Sequence, residues 1–145
     1  MSLQFCTFHV GDLLLGIEVA QIQEVLRKTP VTPVPKTPPA ISGLINLRGQ
    51  IVTAVDLRRM FRIEVDSATD APTMLILDSG SELRSLVVDT VGDVVTVAEG
   101  DFEEPPDTLQ GESRILIRGA YKLKDRLLLV LDVEHTMKVA TMGPS

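Results

Sequence analysis

The stretch GLINLRGQIVTAVDL, residues 43–57, decides the fold, because two alternating apolar runs flank Arg48 and Gly49. Alternation of apolar and polar residues is typical of strands, and glycine reaches positive φ without steric cost, so the stretch predicts a β-hairpin. A second segment, GAYKLKDRLLLVLDV at residues 119–133, aligns with it without a gap. The pattern indicates that one hairpin occurs twice in the chain.

An earlier pair of segments supports a duplication of about half the chain. GDLLLGIEVAQIQEVL at residues 11–26 aligns with GSELRSLVVDTVGDVV at residues 80–95, in the same order relative to the hairpins. The alignment makes Ile22 equivalent to Val91 and Val25 equivalent to Val94. The identities are few and mostly apolar, so a coincidence of strand patterns is the alternative interpretation.

Short runs rich in leucine and β-branched residues fill the rest of the chain and predict an all-β protein. We expect two small five-stranded barrels in a single domain spanning 1–145, approximately at residues 11–65 and 66–138, with strand exchange between them. Gly11, Gly16, Gly49 and Gly80 are expected in hairpin turns. Helices are expected only as short pieces, at residues 19–27, 57–61 and 133–137.

Composition excludes several classes of protein. Twenty acidic and fourteen basic residues give a net charge of −6, which disfavours nucleic-acid binding. No apolar run approaches the ~20 residues that span a bilayer, so we expect no membrane insertion. The chain has one cysteine and starts without a secretion signal, which favours a reducing cytoplasm.

The sequence offers little from which a catalytic or metal site could be assembled, and we expect no cofactor. Cys6 lies in an apolar strand, and His9 and His135 have no second ligand at metal-binding spacing. Asp56 and Asp132 follow equivalent strands and are interpreted as helix caps. An enzyme of another kind and a barrel-type nucleic-acid-binding protein remain as alternatives; the latter would need stacking aromatics and a basic groove.

Arg48 is the strongest candidate for a binding residue. The proline-rich segment, residues 28–42, is a stiff connection that returns the chain from Glu24 towards Arg48, so an ion pair between the two is expected. A guanidinium beside glycine and aliphatic side chains is also typical of a protein-binding surface. The acidic segment, residues 98–113, is expected to cover the open end of the second barrel.

At these residues the chain resembles the CheW family of bacterial chemosensory coupling proteins. The resemblance rests on EVLRKTPVTPVPKTPPAISGLINLRGQIVTAVDLRRMF and continues through LVVDTVGDVV and IRGAYKLKDRLLLVLDVE. It implies two five-stranded β-barrel subdomains and a non-enzymatic adaptor. The implied partners are the cytoplasmic tip of a chemoreceptor and the regulatory domain of a CheA-type histidine kinase, at the inner face of the membrane.

The resemblance also implies two sets of contact residues. The receptor-facing set consists of Ile22, Glu24, Gly43, Arg48, Ser85, Val91 and Val94. The kinase-facing set consists of Thr108, Leu109, Gly119 and Ala120, chosen partly because Gly119 is expected to lack side-chain cover. Lys122 and Lys124 stand where relatives commonly have small residues, so a pathway without a role in swimming is an alternative.

Overall fold

The computed structural model describes residues 1–63, 73–78, 80, 82–109 and 111–142, and within them the chain is mostly strand. Three short helices and two 3₁₀ turns, Val19–Gln21 and Glu99–Asp101, complete the regular structure. The helices are α1 Leu57–Met60, α2 Glu112–Ile115 and α3 Val133–Met142. The strands are β1 Ser2–Val10, β2 Leu13–Glu18, β3 Ile22–Leu26, β4 Ile41–Leu47, β5 Gln50–Asp56, β6 Thr73–Asp78, β7 Leu83–Val88, β8 Thr90–Ala98, β9 Ile117–Lys122 and β10 Leu127–Leu131.

The strands form two five-stranded sheets. Sheet A has the order β8-β1-β2-β10-β9, and sheet B has the order β3-β6-β7-β5-β4. Neighbouring strands are antiparallel except for β2 with β10 and β5 with β7. The prediction of an all-β fold with two five-stranded units and short helices is confirmed, although in the described residues the outermost strands of each sheet do not pair to close a barrel.

The division between the sheets differs from the predicted boundary at residues 65 and 66. Sheet B is built from β3 to β7, whereas sheet A combines β1 and β2 with β8 to β10. Each half of the chain therefore gives its first hairpin to one sheet and its next three strands to the other. This reciprocal arrangement is an exchange of strands between the two halves of the chain.

The two hairpins that align in the sequence, β4–β5 and β9–β10, have the same register. In both, a β-bulge lies next to the glycine near the start of the first strand, and the second strand pairs in parallel with a neighbour. The prediction of equivalent hairpins is confirmed. The corresponding pairs are Ile41 with Val55 and Ile117 with Leu131, then Gly43 with Ala54 and Gly119 with Val130.

Three apolar clusters hold the fold together. A shared core takes buried side chains from both sheets and from α1 and α3, including Phe8, Leu86 and Val133. A smaller cluster around Ile76 lies on the other face of sheet B, and one around Leu128 lies on the other face of sheet A. Each sheet thus buries both of its faces, which explains the nearly continuous apolar runs of several strands.

The two long segments cross the sheets in equivalent ways. In the proline-rich segment, Thr32 exchanges two backbone hydrogen bonds of 2.8 Å with Leu44 of β4. In the acidic segment, Glu103 exchanges two of 2.9 Å with Ala120 of β9. Each segment therefore pairs through one residue with the outer edge strand of a sheet.

Three local predictions have clear outcomes. The helix expected at residues 19–27 is wrong, because only a single 3₁₀ turn forms before β3 pairs with β6. Gly16 lies inside β2, where an added Cβ would stand 2.9 Å from Leu128 Cδ1. The capping prediction is confirmed: Asp56 accepts a hydrogen bond from the Arg58 amide at 2.9 Å, and Asp132 accepts one from the His135 amide at 3.0 Å.

Within the described part of the chain, no helix has the length and apolar character needed to cross a bilayer.

Candidate functional site

Arg48 occupies a tight turn between β4 and β5. Its φ is +51° and that of Gly49 is +88°, the two positive values that a two-residue hairpin turn of the favoured hand requires. The Gly49 amide donates to Asn46 Oδ1 at 2.9 Å and holds the turn. Arg48 is therefore a turn residue and not a strand residue, and its side chain projects from a rigid hairpin into solvent.

The Arg48 guanidinium donates to Glu24 Oε1 of β3 and forms the predicted ion pair. The Arg48 side chain is 66% exposed and that of Glu24 is 27% exposed, so the pair lies on an accessible surface. Strands β3 and β4 are the two edges of sheet B. The contact therefore shows that sheet B curls until its edges approach each other at this end.

The pair changes the titration of both groups. The hydrogen bond from Arg48 lowers the pKa of Glu24 below its ordinary value, against a smaller opposing effect of desolvation. The same hydrogen bond raises the pKa of Arg48. Both groups are thus charged near neutral pH and present a fixed dipole at the surface.

A shallow polar depression of about 330 Å³ adjoins the Arg48 turn. Leu47 and Leu83 supply its apolar lining, and the remaining lining residues are polar, charged or glycine. These residues come from the strands of sheet B and the turns between them. They are Gln23, Arg48, Gln50, Asp78, Gly80 and Glu82.

The remaining members of the receptor-facing set differ in accessibility. Ile22 and Val91 are half-buried and pack against the same shared core, whereas Val94 on β8 is 54% exposed. Ser85 is fully buried, and its hydroxyl lies 3.2 Å from Met74 Sδ. Ser85 therefore does not lie on the surface, and the expectation of a direct contact there is corrected.

Gly43 is also buried and has a different role from the one expected. A Cβ at Gly43 would collide with the backbone carbonyl of Thr32 in the proline-rich segment. Glycine is therefore required for the close approach of that segment to β4. Gly43 supports the surface around Arg48 and does not form part of it.

The kinase-facing set divides in the same way. Gly119 and Ala120 are buried, and a Cβ at Gly119 would collide with the Phe102 ring and the Glu103 carbonyl. The expectation that Gly119 lacks side-chain cover is wrong, because the acidic segment lies directly over it. Thr108 is exposed and Leu109 is half-buried against the shared core, so these two can reach a partner.

The sequence pattern did not identify two exposed apolar residues beside these sets. Ile51 is 60% exposed and pairs with Asn46 next to the Arg48 turn. Phe102 is 44% exposed and packs edge-on against Tyr121, with ring centroids 5.4 Å apart. The signal for Ile51 was its place in the alternation of β5, on the same side as Thr53. Phe102 had no comparable signal in its acidic surroundings.

Nearly the whole chain is similar to known proteins of one family. Residues 4–140 match the model of one protein family, described as the CheW-like domain. The chain is 30% identical over 130 residues to the chemotaxis protein CheW of Bacillus subtilis, which covers 90% of this chain and 83% of that protein. It is 35% identical over 104 residues to protein FrzA of Myxococcus xanthus, covering 71% of this chain and 64% of FrzA.

A solved structure is similar as well. The crystal structure of the scaffolding protein TtCheW from Thermoanaerobacter tengcongensis superimposes with a TM-score of 0.85 at 26% sequence identity. The match covers 96% of this chain and 94% of that chain. The structural similarity therefore extends over nearly the whole of the two-sheet fold.

Proposed function

The chain belongs to the CheW-like family, and from this membership we propose that it is a non-enzymatic adaptor of a bacterial chemosensory array. In this role it couples the cytoplasmic tip of a chemoreceptor to the regulatory domain of a CheA-type histidine kinase. It acts in the cytoplasm, at the inner face of the membrane, where receptor and kinase meet.

The observation that carries the proposal is the exposed Glu24–Arg48 pair on a rigid turn. A planar guanidinium held by a fixed backbone offers directional donors without much loss of conformational freedom on binding. Ile51 adds exposed apolar area beside it. This combination suits a protein partner better than a small molecule, because the adjoining depression is shallow and mainly polar.

The receptor is proposed to bind at Glu24 and Arg48, with Ile22, Val91 and Val94 as further contacts. Ile22 and Val91 occupy equivalent strands of the two sheets and both adjoin the shared core. The kinase is proposed to contact the acidic segment through Thr108 and Leu109, with Phe102 as an additional apolar contact. Gly119 and Ala120 then act only by positioning that segment.

The test compares Arg48→Glu with Lys124→Ala, which alters the equivalent turn of the other sheet. Each variant is titrated against a receptor cytoplasmic fragment and against the kinase regulatory domain, with circular dichroism to confirm folding. Arg48→Glu is expected to weaken receptor binding by about thirtyfold, since a central interface arginine commonly dominates affinity. Its kinase binding and the receptor binding of Lys124→Ala are expected to stay unchanged.

Two results would contradict the proposal. If the folded wild-type protein binds neither partner, the adaptor role is wrong. If Arg48→Glu weakens both partners equally, the separation of the two surfaces is wrong. Capture of the receptor and kinase from the native cell lysate then assigns the pathway, whether it controls swimming or another output.

A further inference from the structure

The four edge strands of the two sheets are not equally protected against pairing with another strand. Edge strands expose unpaired amide and carbonyl groups, and proteins usually block them with covering segments, charges or bulges. Thr32 covers β4 at Leu44, and Glu103 covers β9 at Ala120. Two of the four edges are therefore occupied by the chain itself.

The edge of β3 is blocked by charge and by its short length. This strand ends at Leu26 and carries a bulge between Ile22 and Glu24. Arg27 and Lys28 follow at once, and Lys28 has a φ of +57°, which turns the chain away from the strand direction. Charged residues at this place oppose the addition of another strand.

The edge of β8 has a bulge, and Asp93 and Glu99 lie on either side of its last five residues, but no segment of the described chain covers it. The strand continues to Ala98, and its last five residues, VVTVA at positions 94–98, carry no charge. The alignment of the two halves makes Thr96 equivalent to Arg27. No other strand in the described part of the chain pairs with the outer edge of β8. Val94 is 54% exposed, whereas its equivalent, Val25, packs against the shared core.

We propose that the outer edge of β8 pairs in antiparallel orientation with β8 of a second copy of this chain. A two-fold axis at Thr96 places Thr96 opposite its own copy, Val95 opposite Val97 and Val94 opposite Ala98. Threonine pairs and β-branched pairs are favourable cross-strand neighbours, and no like charges face each other within the five residues. The stretch is thus complementary to itself, and sheet A of one copy continues into sheet A of the other.

The structure also limits the length of this contact. Before Val94, the strand bulges at Gly92 and Asp93, where the Thr7 hydroxyl donates to the Asp93 carbonyl at 2.6 Å. After Ala98 the chain enters a 3₁₀ turn at Glu99. A five-residue contact buries far less than the roughly 1,200 Å² of stable interfaces, so the dimer is weak. Asp93 and Glu99 of opposite copies face each other at its ends, so added salt strengthens it.

Sedimentation equilibrium of the full chain over a range of concentrations tests the proposal. The average mass of the wild-type protein is expected to rise with concentration from 15.8 kDa towards twice that value. Thr96→Arg places two guanidinium groups opposite each other and is expected to weaken dimerisation by at least about tenfold. Gln4→Arg is the matched control, because Gln4 pairs with Thr96 one strand further from the edge.

Hydrogen exchange identifies the strand involved. Amides of residues 94–98 are expected to gain protection at high protein concentration in the wild type but not in Thr96→Arg. A wild-type protein that stays monomeric at millimolar concentration overturns the proposal, as does equal weakening by Gln4→Arg. Protection of these amides by a receptor fragment in a protein that never dimerises would assign the edge to that partner instead.

Discussion

At Arg48 an ion pair and a binding surface coexist because the pair remains in water. The hydrogen bond to Glu24 fixes the direction of the guanidinium, while the exposed side chain keeps other donors available to a partner. Pairs of this kind contribute little to stability, since solvent screens them. The proline-rich segment made this pair predictable from sequence, but the positive φ of Arg48 was not, because arginine rarely adopts it.

Replacement of Arg48 by alanine should raise the pKa of Glu24 towards its ordinary value of 4.5. In the wild type the pKa is lowered, so the pair's contribution is complete above pH 4.5 and is lost as pH falls through the folded-state pKa. NMR titration of the side-chain carboxyl groups measures this directly. Glu134, whose pKa is lowered by Arg84, is the internal control and should not respond. An unchanged Glu24 titration would show that the pair does not persist in solution.

Thr136 offers a second test at the scale of one residue. Its side chain is fully buried in α3, and its hydroxyl has no hydrogen-bond partner among the described residues. Thr136→Val should stabilise the protein by about 1 kcal/mol, because an unsatisfied buried polar group is removed. Urea unfolding with an unchanged m-value measures the gain. The control is Thr141→Val, where an exposed hydroxyl donates to the Met137 carbonyl at 2.9 Å and no gain is expected.

At the scale of elements, the alternation of apolar and polar residues predicted the hairpins. It did not predict how the proline-rich and acidic segments pack against them. Apolar periodicity specifies which residues pair along a strand, so the equivalent hairpins were found, including the caps at Asp56 and Asp132. The 3.6-residue spacing of Ile22, Val25 and Leu26 was misleading, because pairing with β6 overrides a weak helical pattern. The acidic segment was expected to cover the open end of the second barrel, but its path over Gly119 has no periodic signal and could not be predicted.

The two buried glycines should be sensitive because of those crossing segments. Gly43→Ala and Gly119→Ala should each lower the free energy of unfolding by about 1–3 kcal/mol, since the added methyl group meets backbone atoms. Hydrogen exchange should show lost protection at Leu44 in the first variant and at Ala120 in the second. Gly100→Ala is the control, because nothing lies within 4 Å of its Cβ position. Full stability in either variant would mean that the segment does not lie where the structure has it.

At the scale of the whole molecule, the duplication does not produce two independent units. Each half of the chain contributes a hairpin to the opposite sheet, and the shared core takes residues from both sheets. The sequence match showed that a unit repeats, but a repeat pattern is the same whether a hairpin stays with its own half or joins the other. For this reason the boundary between the sheets differs from the predicted one, while the number of strands in each sheet agrees.

The reciprocal exchange predicts that the protein unfolds in one cooperative transition. Ile76→Ala removes buried volume from the cluster on sheet B, and Leu128→Ala does the same on sheet A; each should cost about 2–5 kcal/mol. Neither sheet can keep its strands when the other unfolds, so each variant should shift the whole transition. Circular dichroism at 218 nm and Tyr121 fluorescence, which reports on sheet A, should therefore give coincident curves in both. If Ile76→Ala instead produced an early transition that left the Tyr121 signal native, the sheets would be separate folding units, and the shared core would be a docked interface between them.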